Sequence, residues 1–238
     1  MSGVQGKQVQ DELPDGLMPD GEATLPGHLF KDFVERSRMT RAKRGETIVS
    51  RGGDAWDVFL IRAGRVQITM PSGTGRDVIL RDMGPGRIFG EMAALDGQAR
   101  SASVLAQEDS ELAQMHSEEF VRVLGEVPEA GLWMSRQLAA RIRNLSEKVL
   151  ELATMPVAGR VQAELLRLAS MAPVRDDSVR IAPMPTHADI AARIGSHREA
   201  VSRELAQLAR EKLLRQSGRS MEILSLSGLK ASHARFTR

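Results

Sequence analysis

The stretch FGEMAALDGQARSASV, residues 89–104, decides how the front half of the chain reads. Phe89-Gly90-Glu91 predicts a tight turn. Met92 to Leu95 predicts a short apolar helical turn, and the chain returns as a strand at Ser101–Val104, with Arg100 just before it. Backbone N–H groups at a helix start, together with a guanidinium, make an anion site. Glu91 supplies a carboxylate close by that can accept from a hydroxyl, and Ser101 can donate to an anion's oxygen. The same residues also allow a plain ion pair between Arg100 and Glu91.

Working outward, ETIVS, DVFLIRA, GRVQITM, RDVILRDM and SASVLAQ are short β-branched runs separated by RGGD, AGR, PSGTG and GPGR. That alternation of strand and turn chemistry predicts a small β-barrel or double-sheet roll. Residues 25–43 read as a short helix region, with Phe30, Phe33 and Val34 at helical spacing. Residues 1–24 carry five acidic side chains and no period, and are expected to be a mobile tail.

Behind the roll, Pro128 suits a helix's first turn, and no other proline occurs before Pro156. Leu138, Ile142, Leu145, Val149 and Leu152 are spaced 4, 3, 4, 3, the period of a coiled-coil seam. The same stripe would also serve a helix lying on its own domain. Pro156 and Gly159 end the pattern. Residues 160–171 predict an amphipathic helix, VRDDSVRIAPMP a loop or hairpin, and THADIAARIGSHREAVSRELAQLAREKLL two helices about Gly195. Thr186 with Asp189 and Ser196 with Glu199 have capping-box spacing. LLRQSGRSMEILSL reads as a two-stranded wing around Ser217–Gly218–Arg219.

On the second of these helices, Arg198, Glu199, Ser202, Arg203 and Ala206 fall within an arc of roughly 140°, while Val201, Glu204 and Leu208 face away. Arginine can bind guanine O6 and N7 bidentately, and glutamate can accept from cytosine N4. The first turns of such a helix are what a helix-turn-helix inserts into the major groove. A solvated face with an i,i+4 pair between Glu199 and Arg203 is the plainer alternative. Charge favours a polyanion partner: residues 1–155 hold 19 basic against 23 acidic side chains, a net of −4, and residues 156–238 hold 14 against 8, a net of +6.

Composition narrows the rest. With no cysteine among 238 residues, disulfides, thiolate zinc or iron–sulfur ligation and a thiol nucleophile are excluded. No run of 18 apolar residues suggests a membrane span, and the N-terminus lacks a signal pattern. Six Phe, two Trp and no Tyr argue against stacking on single strands. No Walker loop, metal cluster or nucleophile–base constellation suggests an enzyme.

The cassette resembles the phosphate-binding cassette of cyclic nucleotide-binding domains, and KRGETIVSRGGDAWDVFLIRAGRVQI resembles the first strands of the Crp/Fnr regulators. The resemblance covers about residues 30–230 and is greatest to the cyclic AMP receptor branch. It implies an α+β chain: a tail (1–24), a cyclic nucleotide-binding β-roll of double-stranded jelly-roll type (25–127), a long dimerisation helix (128–155) and a C-terminal winged helix-turn-helix (156–238). By the same resemblance Arg100 and Ser101 hold the cyclic phosphate and Glu91 the ribose 2′-hydroxyl. Gly90, Met92 and Arg141 join that ligand site, with Leu145 and Ser146 from the long helix. Ser196, Arg198, Glu199, Ser202, Arg203 and, in the wing, Arg219 are expected on DNA, with half-sites like TGTGA. Leu138, Ile142, Leu145, Val149 and Leu152 are expected in a homodimer seam.

The allosteric ligand implied is cAMP, with cGMP the alternative. Where cAMP binders of the family commonly carry Thr-Ser, this chain has Leu145–Ser146, and adenine loses one hydrogen bond. No metal, haem or iron–sulfur cluster is implied. The redox branch needs an N-terminal cysteine cluster, and the histidines before the DNA module, His28 and His116, lie outside the cassette. Double-stranded DNA and RNA polymerase are the implied partners, in the cytoplasm and away from membranes. A constitutive DNA binder that uses its roll as a scaffold, or that senses another small molecule, is the rival reading.

Overall fold

The computed structural model describes residues 23–71 and 77–237. Two compact units emerge, one of residues up to 70 with 80–141, the other of 71–79 with 142–238. Most of the expected tail, and most of the PSGTG turn, lies outside the described residues. Ala23 and Thr24 do not belong to a loose tail. The Ala23 N–H donates to Gln137 Oε1 at 3.2 Å, and Trp133 Nε1 donates to the Thr24 carbonyl at 3.2 Å.

The first unit opens with helix α1 (Gly27–Glu35), which stops well short of residue 43 because the chain turns into a strand. Strands β1 (Arg38–Ala42), β2 (Thr47–Val49), β3 (Val58–Ala63), β4 (Val66–Pro71), β5 (Asp77–Met83) and β6 (Ile88–Phe89) follow along the chain, with Pro71 of β4 and residues 77–79 of β5 grouped with the second unit. Helix α2 (Glu91–Asp96) precedes β7 (Ser103–Ala106) and β8 (Ser110–Met115). Two four-stranded sheets result, in the orders β1-β8-β3-β6 and β2-β7-β4-β5.

Strand β3 shows why its sequence is apolar without alternation. Val58 and Leu60 face a core shared with α1, helix α3 (Ser117–Glu126) and the start of helix α4 (Pro128–Thr154). Phe59 and Ile61 face the opposite core, between the two sheets, with Val49, Ile68 and Val104. A strand covered on both faces has no solvent side to make polar. Phe59 stacks on Phe89 with centroids 5.0 Å apart.

Helix α4 carries two unlike faces in succession. Its first half buries Ala130, Trp133, Met134, Gln137, Ala140 and Arg141 in the first unit. Leu138, on the same stripe as the other four residues of the expected seam, is partly buried against that same core. Ile142, Leu145, Val149 and Leu152 are exposed by 64, 58, 65 and 46%.

The second unit contains helix α5 (Val157–Ser170), hairpin β9 (Val174–Arg175) and β10 (Ser178–Ile181), helices α6 (His187–Ile194) and α7 (Arg198–Arg210), hairpin β11 (Leu214–Ser217) and β12 (Ser220–Ile223), and helix α8 (Leu226–His233). Its strands form one sheet, β11-β12-β10-β9. Val161, Leu165, Ile190, Ile194, Val201, Leu208 and Ile223 form its core. The architecture is therefore mixed: an antiparallel β-roll unit, a long helix, and a winged helix-turn-helix. No described helix is long and apolar enough to cross a membrane.

Candidate functional site

Strand β6 delivers the chain to Gly90, whose φ is 86°. A Cβ there would meet the Asp57 carbonyl oxygen at 2.7 Å and Arg100 Nη1 at 2.8 Å. Glycine is needed both for the left-handed backbone and for that approach. α2 then runs for six residues and closes on Gly97 in the same conformation. The returning strand starts at Ser103 rather than Ser101. The intervening backbone is held by the 51–53 turn, where the Gly52 N–H donates to the Arg100 carbonyl at 2.8 Å and the Arg100 N–H to the Gly53 carbonyl at 3.2 Å.

Arg100 is 5% exposed. Its Nη1 donates to the Gly90 carbonyl at 2.8 Å and its Nη2 to the Asp57 carbonyl at 2.7 Å. Burial pulls this guanidinium below its ordinary value, opposed by the carboxylates of Asp57 and Glu91. It remains a cation at neutral pH. Its two described acceptors are neutral carbonyls, so an anion brought to it would gain a charge-assisted bond.

Glu91 is 2% exposed and does not pair with Arg100. One of its carboxylate oxygens takes a hydrogen bond from Arg141 Nη1, while Arg141 Nη2 donates to the Ile88 carbonyl at 3.4 Å. The other oxygen, Oε2, is buried without a hydrogen-bond partner among the described residues. A buried carboxylate oxygen of this kind is a poised acceptor for a hydroxyl. Ser101 and Met92 are exposed, with Ser101 Oγ 3.8 Å from Met92 Sδ.

The structure thus brings Gly90, Glu91, Met92, Arg100, Ser101 and Arg141 into one unit. Leu145 and Ser146 belong to the other. Ser146 is exposed and donates to the Ile142 carbonyl at 2.9 Å. Sequence reasoning missed Asp57 and Gly53, which grip Arg100 through backbone carbonyls and leave no side-chain signature.

In the second unit, Thr186 and Asp189 form the expected capping box on α6. The expected box between Ser196 and Glu199 does not form. Gly195, at φ 60°, ends α6, and the Ser196 N–H donates to the Ala191 carbonyl at 3.0 Å, closing that helix from behind. Ser196 is thereby committed to α6, and α7 starts with His197 as its extended N-cap. Arg198, Glu199 and Arg203 lie exposed on α7, while Val201, Leu205 and Leu208 dock it. Glu204 accepts from Gln162 of α5 at 2.8 Å. Ser202 is half-buried, its Oγ 2.8 Å from His187 Nδ1. Arg219 is exposed at the two-residue tip of the β11–β12 wing.

Comparison with known proteins matches both units. Residues 39–126 match the cyclic nucleotide-binding domain family and residues 159–232 the Crp-like helix-turn-helix domain family. The chain is 28% identical over 205 residues to the cAMP-activated global transcriptional regulator of Haemophilus influenzae, covering 85% of this chain and 91% of that one. It is 29% identical over 181 residues to the CRP-like cAMP-activated regulator of Mycobacterium tuberculosis, covering 76% and 81%. The c-di-GMP-responsive global regulator of Xanthomonas campestris shares the fold, with TM-score 0.73 at 21% identity over 83% of this chain and 98% of that one.

Proposed function

We propose, for a chain that belongs to the Crp/Fnr family of transcription regulators, a homodimer whose binding to palindromic DNA is gated by a cyclic mononucleotide. The observation that carries the ligand reading is the buried, unpartnered Oε2 of Glu91 beside the desolvated Arg100. Glu91 would accept from the ribose 2′-hydroxyl, and Arg100 with Ser101 would hold the phosphate. Relatives named as cAMP-activated support cAMP over cGMP. Ser146 offers a hydroxyl to adenine, whereas Leu145 offers only apolar contact, a deficit of about 0.5–1.5 kcal/mol.

The exposed Ile142, Leu145, Val149 and Leu152 support a dimer seam along the second half of α4. Two α7 helices related by a two-fold axis would read half-sites about one helical turn apart. Arg198, Glu199, Ser202 and Arg203 would face the bases of a TGTGA-like half-site, with Arg219 and the backbone near Ser196 on phosphates. Such a regulator works in the cytoplasm and meets RNA polymerase at its promoters.

One observation favours a second reading, in which the roll is a scaffold and DNA binding is constitutive. Arg100 already donates to two carbonyls, and Glu91 is already paired with Arg141. Calorimetric titration of the purified chain with cAMP, cGMP and a cyclic dinucleotide separates the two. Saturable binding of a mononucleotide, one per chain, is expected. Absence of heat from either mononucleotide at millimolar concentration would overturn the sensing reading and favour the scaffold. Tighter binding of the dinucleotide would reassign the ligand.

A further inference from the structure

His187 links three elements of the DNA-reading unit. It is the first residue of α6, its Nδ1 lies 2.8 Å from Ser202 Oγ on α7, and its Nε2 lies 3.3 Å from Gln216 Nε2 on strand β11 of the wing. Both His187 and Ser202 are half-buried, so their contact is partly shielded from water, while the contact to Gln216 is exposed. With the Gln216 amide oriented as it is, its NH₂ toward the imidazole, the proton positions follow. An amide NH₂ can only donate, so His187 Nε2 must accept from Gln216. A neutral imidazole carries one N–H, which is then on Nδ1 and donates to Ser202 Oγ. Among the described residues Ser202 Oγ makes no other hydrogen bond, so its own hydrogen stays available, on the same helix as the exposed Arg198 and Arg203.

From this we infer that His187 is a positioning residue for DNA specificity: held by Gln216, it takes up one lone pair of Ser202 Oγ and turns the hydroxyl hydrogen toward a base-edge acceptor. A serine hydroxyl left to itself rotates and serves donors and acceptors alike, and so discriminates weakly between bases. With one of its two lone pairs taken by the His187 N–H and its hydrogen turned away from the imidazole, it favours a base edge that accepts, such as purine N7 or thymine O4, over the cytosine amino group. The wing thereby helps set what the recognition helix reads. The inference rests on the proposed reading in which the α7 face meets base edges.

The test selects full-length protein, saturated with cAMP, against a randomised duplex library, then measures affinity for every base at each position of the selected site. Wild type, Ser202→Ala, His187→Leu, His187→Asn and the double variant of Ser202→Ala with His187→Leu are compared, with thermal melts to confirm folding. The side-chain amide of His187→Asn keeps an N–H near the place of Nδ1. Ser202→Ala should lose about three- to tenfold discrimination at one base pair per half-site, the worth of one hydrogen bond. His187→Leu should lose the same discrimination at the same base pair, with no further loss in the double variant, and His187→Asn should restore much of it. A His187→Leu protein that weakens on all sequences alike, or keeps its preference at that base pair, would overturn the inference while leaving the DNA reading intact. A Ser202→Ala protein with an unchanged profile would overturn it too. A wild type without any base preference would remove the underlying reading along with it.

Discussion

Arg100 combines a cost and an opportunity in one side chain. A guanidinium only 5% exposed has lost most of its hydration, and its described acceptors are the carbonyls of Gly90 and Asp57. Hydrogen bonds involving a charged group contribute about 1.5–3 kcal/mol, so Arg100→Leu should weaken cyclic nucleotide binding at least about tenfold. Calorimetry on a variant whose melting shows it folded decides this, and unchanged affinity would refute the phosphate role. A second residue makes a prediction about pH. The Asp177 carboxylate accepts from Ser227 Oγ at 2.7 Å, from the Ser227 N–H at 2.9 Å and from Ser225 Oγ at 2.9 Å, tying the β9–β10 turn to the start of α8. Those bonds, the Ser227 hydroxyl's first, hold its carboxyl below the ordinary range. A depressed folded value means that the stabilisation is present above the unfolded value of about 3.9 and fades as pH falls through the folded one. Asp177→Asn should therefore lower the melting temperature near neutrality and narrow its gap to wild type as the pH drops below about 4. A gap that stays constant across the acid range would show that the charge is irrelevant.

At the scale of elements, α4 is where the seam prediction becomes sharp. Leu138 is partly buried against the core of the first unit, so a charge there would disturb folding along with any assembly. Val149 is 65% exposed in the single chain, and Val149→Asp should leave the melting transition nearly intact while sedimentation shows monomers. A stable dimer after that change would place the seam elsewhere. The heptad spacing alone shows an apolar stripe but not which of its members the chain itself covers. That limit recurs. The β-branched runs are legible because Gly-rich turns bound them. β8, SELAQM, escapes a sequence reading because its outward Glu111 and Gln114 and its small Ala113 lack strand character. α3 and α8 escape it because each is short and owes its place to packing, Phe120 into one core and Leu229 into another. In the cassette, side-chain chemistry singles out Glu91 and Arg100 but not the partner of either. Arg141 lies fifty residues from Glu91, and the acceptors of Arg100 are backbone atoms. On the recognition helix the division between exposed and docked faces follows from the helical period. On α7 and the wing the proposed roles differ in kind. Arg198→Ala should relax preference at one guanine by about 1–3 kcal/mol, whereas Arg219→Ala should weaken all sequences alike and reduce the salt slope by about one. Equal losses on every sequence from Arg198→Ala would move that residue to the phosphates.

For the whole molecule the decisive quantity is a coupling free energy. The acidic front, net −4 over residues 1–155, and the basic back, net +6 over residues 156–238, suit a chain in which one part meets a small ligand and the other a polyanion. Gating requires that the ligand bind the DNA-competent state more tightly than the other state; tight binding to both would shift nothing. Linkage then imposes a strict equality. If cAMP raises affinity for a palindromic duplex by some factor, that duplex must raise affinity for cAMP by the same factor, typically about 5- to 150-fold. Fluorescence anisotropy with and without nucleotide gives the first factor, and nucleotide titration with and without saturating duplex gives the second. A duplex carrying a single half-site should return a much smaller factor, because it engages one recognition helix and is indifferent to the spacing of the pair. Arg100→Leu should raise the nucleotide concentration at which the effect appears, while the two factors measured at saturation still equal each other. If both factors equal one in the wild type while DNA binding stays tight, the roll is a scaffold, and the Arg100 and Glu91 contacts serve the fold alone.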